Sequence, residues 1–168
     1  MESILSSIIL DKRPYAALVL ADGTTFHGRG FGETGMVTAP LIYNTDVMGY
    51  QETLTDEASA GKIVAFAYPH IGNTGVNPED NRSDLVQAVG VIIREETPIV
   101  SNFRAKGDLN TFLANAGIVG LADIDTRQLV RHLRDHGSMV GTIVSSRTPL
   151  TDDVLEKAHM ATQVVDLS

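Results

Sequence analysis

The sequence has no cysteine among its 168 residues. That absence excludes disulfides, thiolate zinc sites and a thiol nucleophile within this chain. Basic charge is scarce too. Lys and Arg number 13 against 21 Asp and Glu, a formal net charge of −8, and no run of five or six residues is rich in Lys and Arg. A phosphate backbone repels such a surface, so no nucleic-acid partner is expected. There is no apolar window of about 18 residues, so no membrane span is expected. The start is a poor signal peptide, with Glu2 where a positive region belongs and Ile8-Ile9-Leu10 too short an apolar run. These absences are compatible with a cytoplasmic protein. What remains is 43% hydrophobic and 20% charged, a balance that builds a core rather than a disordered chain. The length suits one domain, or one and a small appendage.

Residues 15–20 read as a buried strand, and Asp22-Gly23 as a hairpin turn where glycine tolerates positive φ. Residues 24–29 are the returning strand, and Leu41-Ile42-Tyr43 another, with Pro40 marking its beginning or an edge. From Asp46, a possible cap, Val47, Tyr50, Leu54 and Ala58 recur at helical spacing. Residues 62–67 form a strand, 68–75 a turn-rich loop, and 85–94 contain a strand in which Val89, Val91 and Ile93 alternate. Two helices follow. Asp108 caps the first, with Leu109, Phe112, Leu113 and Ala116 as its apolar stripe and Gly117 as its end. Asp125 caps the second, with Leu129, Val130 and Leu133 facing inward and Gly137 terminating it. Residues 118–122 are a short strand or buried connector, 139–144 a last strand and 151–161 a last helix, with Asp152 and Asp153 at the positive end of its dipole. Strands first, then strands and helices mixed, predict a layered α+β (β/β/α) domain.

Several patterns name a chemistry and fall short of it. Gly30-Phe31-Gly32-Glu33-Thr34-Gly35 matches G-x-G-x-x-G, but the next segment has strand character, so no helix N-terminus would meet a pyrophosphate and a glycine-rich turn is expected. His132 and His136 are four apart on a helix without an obvious third ligand, and are read as exposed histidines rather than a metal site. Asn81-Arg82-Ser83 is a chance sequon in a chain with no signal peptide. Arg127, Arg131 and Arg134 cluster on a helix as a solvated face or a partner contact. Glu52 and Asp56 are a spaced carboxylate pair, and His70 lies in a polar loop. Together they would make a small enzyme only if they converged in one pocket.

The segment Asn44-Thr45-Asp46-Val47-Met48-Gly49-Tyr50-Gln51-Glu52-Thr53-Leu54-Thr55-Asp56 resembles the N-T-x-x-x-G-Y-Q-E-x-L-T-D signature of carbamoyl-phosphate synthetase small subunits. Tyr68-Pro69-His70-Ile71-Gly72-Asn73-Thr74-Gly75 is similar to that family's Y-P-x-I-G-N-x-G loop. Ser101-Asn102-Phe103-Arg104 matches S-N-x-R, Ala122-Asp123-Ile124-Asp125-Thr126-Arg127 contains D-I-D-T-R, and residues 20–28 resemble the opening hairpin. The likeness covers about residues 15–161. It leaves 1–14 as an extension and makes 162–168 the expected start of a linker to a glutaminase domain.

The resemblance implies the amino-terminal, β/β/α swivelling domain of the small subunit. The family's reaction joins glutamine-derived ammonia to bicarbonate with two ATP. The partners it implies are the large subunit and the glutaminase domain of the same subunit. It implies no catalytic residue, metal or cofactor in this domain, with ATP, magnesium and bicarbonate on the large subunit. The implied edge of the glutamine and ammonia path is Asp56, Ala58 and Ser59. The family has a serine where Ala58 stands, and Ser59 would replace it only if the loop shifts. The other signature residues (Asn44, Thr45, Gly49, Tyr50, Gln51, Glu52, Thr55, Pro69, His70, Gly72, Asn73, Gly75, Asn102, Arg104, Asp123, Asp125 and Arg127) are implied to form loops and an interface. A stand-alone binding or regulatory domain on the same scaffold is the alternative.

Overall fold

The computed structural model describes residues 12–44, 54–67, 87–94 and 109–165. Within them the strands are β1 (Tyr15–Leu20), β2 (Thr25–Gly32), β3 (Gly35–Asn44), β4 (Ile63–Phe66), β5 (Gly90–Ile92), β6 (Val119–Ala122) and β7 (Val140–Ser146). The helices are α1 (Leu109–Asn115), α2 (Thr126–His136) and α3 (Asp152–Thr162), and a 3-10 turn covers Glu57–Ser59. The strands close into a barrel in the order β1-β2-β6-β5-β4-β3-β7. β3, β4, β5 and β6 run parallel to one another, while β1, β2 and β7 join by antiparallel ladders. The mixed α and β composition expected from the sequence is present, with the sheet closed on itself.

Two apolar clusters explain the strand patterns. Leu18, Leu20, Leu41, Ile63, Ala65, Ile92, Leu121 and Ile143 share one cluster, to which α2 adds Leu129 and Leu133. Val64, Phe66, Val91, Ile93 and Ala122 belong to the other, with Leu113 of α1 and Leu54. β4, β5 and β6 are thus covered on both faces and buried at every position, so β5 does not alternate as the spacing of Val89, Val91 and Ile93 suggested. On the antiparallel side α3 packs across β7, β1 and β3. Ala17, Val19 and Val144 are buried on this side, as is Ala158 of the helix.

The β1–β2 turn is tied to two helices. Gly23 adopts φ +90°, and Thr24 N–H donates to Asp22 Oδ1 at 3.0 Å. His132 Nε2 of α2 lies 2.7 Å from Asp22 Oδ2, and Gln163 Nε2, just past α3, donates to Ala21 O at 3.0 Å. His136 stacks on His132 with ring centroids 4.3 Å apart, and no group of three metal-ligating side chains occurs among the described residues. His132 therefore holds a turn, where the sequence suggested only exposure.

Other expectations need correction. β3 runs from Gly35, as the strand character of the segment after the glycines implies, but Pro40 lies inside it opposite Val140 rather than at its beginning. Leu41 N–H donates toward β7, to Met139 O at 3.1 Å, so the Pro40 nitrogen faces the other flank. There β4 begins only opposite Leu41, and no ladder bond is lost. The G-x-G-x-x-G segment is the β2–β3 connection, with Gly32 and Gly35 at φ +68° and +144° and a strand following, so a phosphate has no helix N-terminus to meet. Ala58 and Ala116 are exposed rather than inward-facing, because the helical residues before each give way to a turn.

Candidate functional site

The parallel ladders align Asn44 with Phe66, Ala65 with Ile92 and Ile92 with Leu121, so four strands end level with one another. Hydrogen bonds staple this carboxyl edge together. Ala67 N–H donates to Asn44 O at 2.9 Å, and Asp123 N–H to Arg94 O at 2.9 Å. Thr126 Oγ1, on the first residue of α2, reaches Ala67 O at 3.3 Å. The edge is thereby tied to the start of a helix. In parallel sheets this is the end where connections diverge and ligands or partners are met. The connections leaving it contain residues 45–56, 68–75, 101–104 and 123–127, four of the five segments that carry the family resemblance, the fifth being the β1–β2 hairpin.

Each letter of Asp123-Ile124-Asp125-Thr126-Arg127 has a physical task. Asp123 stands at φ +66°, a left-handed conformation that a non-glycine residue holds only when its surroundings fix it. Its carboxylate pairs with the Arg13 guanidinium, and its N–H is the edge bond just described. Ile124 is buried with the barrel interior. Asp125 caps α2 by accepting Gln128 N–H at 3.0 Å. Thr126 is fully buried beneath its bond to Ala67. Arg127 is exposed and lines an open cleft of about 300 Å³ with Arg94, Asp125, Gln128 and Arg131. A second cleft of about 370 Å³ shares Arg94 and Asp125 with it and adds Asp123 and Ile124.

The other implied site residues fall as follows. Asn44 closes β3. Thr55 is buried, and Asp56 caps the 3-10 turn by accepting Ala58 N–H at 2.9 Å. Ala58 is exposed, whereas Ser59 is only 2% exposed, so its hydroxyl is turned away from the surface. Thr45, Gly49, Tyr50, Gln51, Glu52, Pro69, His70, Gly72, Asn73, Gly75, Asn102 and Arg104 lie outside the described residues. So does any convergence of Glu52 and His70 with Asp56. Arg94 escaped the sequence reading altogether. It follows β5 at a distance of 33 positions from Arg127, and only the β5–β6 pairing brings the two together. Arg13 escaped it as well, since an ion pair between the start of the domain and Asp123 leaves no local pattern.

Comparison with known proteins agrees with the four segments. Residues 18–143 match the family "Carbamoyl-phosphate synthase small chain, CPSase domain". The carbamoyl phosphate synthase small chain of Escherichia coli K12 is 48% identical over 144 residues, covering 86% of this chain and 38% of that protein. Its counterpart from Salmonella typhimurium is 48% identical over 143 residues, covering 85% and 37%. The small chain of Polynucleobacter asymbioticus is 46% identical over 141 residues, covering 84% and 36%. This chain therefore spans well under half the length of these relatives. Among solved structures, a peptidase M28 precursor from Shewanella amazonensis overlaps with a TM-score of 0.47 at 12% identity, covering 80% of this chain and 35% of that one, a likeness on which nothing rests. With three-quarters of its length matched by the family and nearly half its aligned residues shared with these relatives, the chain belongs to the carbamoyl-phosphate synthase small chain, CPSase domain family.

Proposed function

We propose that this domain serves glutamine-dependent carbamoyl-phosphate synthase by docking to the large subunit and walling part of the glutamine and ammonia path. The reaction it serves consumes glutamine, bicarbonate and two ATP. The observation that carries this reading is the carboxyl edge: four of the five signature segments, all but the β1–β2 hairpin, run through connections that leave one end of the parallel strands. A core role would scatter such segments through the interior.

The domain supplies no catalytic group. Glutamine hydrolysis through a thioester needs a thiolate, and this chain has no cysteine. That chemistry is assigned to the glutaminase domain of the same subunit, and ATP, magnesium and bicarbonate to the large subunit, in the cytoplasm. A wall has its own value. Ammonia reaching bulk water at neutral pH is mostly protonated and lost as a nucleophile, so its route must exclude water. The segment ending in Asp56, Ala58 and Ser59 is the part placed beside that route.

The test mixes the 168-residue chain with a matching large subunit on a sizing column and assays the chain alone for glutaminase. Co-elution without glutamine hydrolysis is expected. Hydrolysis above a buffer blank would overturn the non-catalytic role. No complex at micromolar concentration would favour a stand-alone binding or regulatory domain.

A further inference from the structure

The chain is acidic overall, yet one cleft is basic. Arg94, from the end of β5, and Arg127 and Arg131, from one face of α2, line it together. None of the three makes an ion pair with any described residue. The described carboxylates nearby, Asp123 and Asp125, each have a partner. Asp125, the only one among the described residues that lines this cleft, accepts the Gln128 N–H, and Asp123 in the adjoining cleft pairs with Arg13. Among the described residues three guanidiniums thus face one carboxylate, on a molecule of formal charge −8.

Single arginines on a helix face are ordinary solvated groups. Convergence of three from two elements on a polar cleft, against one carboxylate among the described residues, calls for a partner instead. Guanidinium forks match carboxylates in shape and can bind them through paired hydrogen bonds. The remaining acidic surface repels an acidic partner, so this cleft would also fix the orientation of its approach. All five side chains that line it are exposed, and the space of about 300 Å³ opens onto the second cleft of about 370 Å³. A small free anion is held tightly where water is excluded. An open trough of this size instead fits several side chains of a protein segment.

We propose that Arg94, Arg127 and Arg131 form a docking cleft for an acidic, carboxylate-bearing segment of the large subunit. The inference rests on the docking role proposed above and names the chemistry of that contact.

The test compares the unaltered 168-residue chain with R127E/R131E and with R94E for binding to the large subunit, at low salt and at about 0.5 M NaCl. These side chains are exposed, and circular dichroism checks that each variant is folded. Reversal is expected to weaken binding at least about tenfold at low salt, with the difference shrinking as salt screens the charges. If the unaltered chain binds and the variants bind equally well, the cleft is not the contact, although the docking role survives. If the unaltered chain does not bind the large subunit, the docking role fails. The cleft is then decided by an NMR titration with a hexaglutamate peptide. Shifts centred on Arg94, Arg127 and Arg131 that vanish in R127E/R131E uphold its preference for carboxylates, and their absence overturns it. Equal shifts from inorganic phosphate at matched concentration would make it a general anion site and would also overturn the proposal.

Discussion

The antiparallel side of the barrel and the carboxyl edge of its parallel strands follow opposite rules. On the antiparallel side, β1 is paired on both flanks and α3 covers the outer face. The polar groups of the β1–β2 turn there are used up on His132, Gln163 and the turn itself. At the carboxyl edge the backbone is equally well tied, by Ala67, Asp123 and the Thr126 hydroxyl, but three cationic side chains beside it are not. Arg94, Arg127 and Arg131 point into open clefts and make no ion pair with any described residue. One region has spent its polar groups on holding the fold. The other fixes its backbone and leaves charge available, which is how a rigid scaffold presents a recognition surface.

The contrast can be broken first in the barrel itself. Leu121→Ala empties a fully buried position shared by barrel and helix and should cost about 2–5 kcal/mol in urea unfolding. Gly28→Ala should cost about 1–3 kcal/mol, because its β-carbon would overlap the Ala122 carbonyl oxygen and lie 2.8 Å from Ile124 Cγ2. Docking-cleft chemistry plays no part in either loss. At the edge backbone, Asp125→Ala removes the α2 cap and Thr126→Val removes the bond to Ala67, each lowering stability by about 1 kcal/mol in the same assay.

Smaller again is the effect of pH at the turn. Burial pushes the Asp22 carboxyl upward, but the Thr24 N–H, the Thr24 hydroxyl and His132 together outweigh it and hold its pKa below the ordinary carboxylate value. The stabilisation is therefore complete above the ordinary carboxylate range and is lost as pH falls through the lowered pKa. Asp22→Asn should flatten that part of the stability–pH curve, and an unchanged slope would remove the turn from the account. Smallest on stability is Arg127→Ala, expected within about 0.5 kcal/mol because the side chain is exposed. A loss of several kcal/mol there would show that the cleft arginines hold the fold, and the contrast between the two regions would disappear.

The sequence disclosed whatever depends on neighbours in the chain. Asp125 and Gly137 bound α2 as their side-chain and backbone chemistry predicts, and Leu129, Val130 and Leu133 are buried on its inner face. The turn at Gly23 and the acidic first turn of α3 were equally readable. What stayed hidden depends on pairing across the chain. The register of β3 rests on Gly35 lying opposite Ser145, and closure of the barrel rests on β7 joining β1 to β3. The cleft was half visible. Arg127 belongs to a recognisable motif and Arg131 lies one helical turn beyond it, but Arg94 becomes their neighbour only when β5 lies beside β6.

Amide hydrogen exchange of the 168-residue chain, with and without the large subunit, tests the division of labour most directly. The account predicts slowed exchange at Asn44, Ala67, Arg94 and residues 123–131, with the β1–β2 turn and α3 unchanged. Slowed exchange confined to α3 and the turn, with the carboxyl edge untouched, would contradict it.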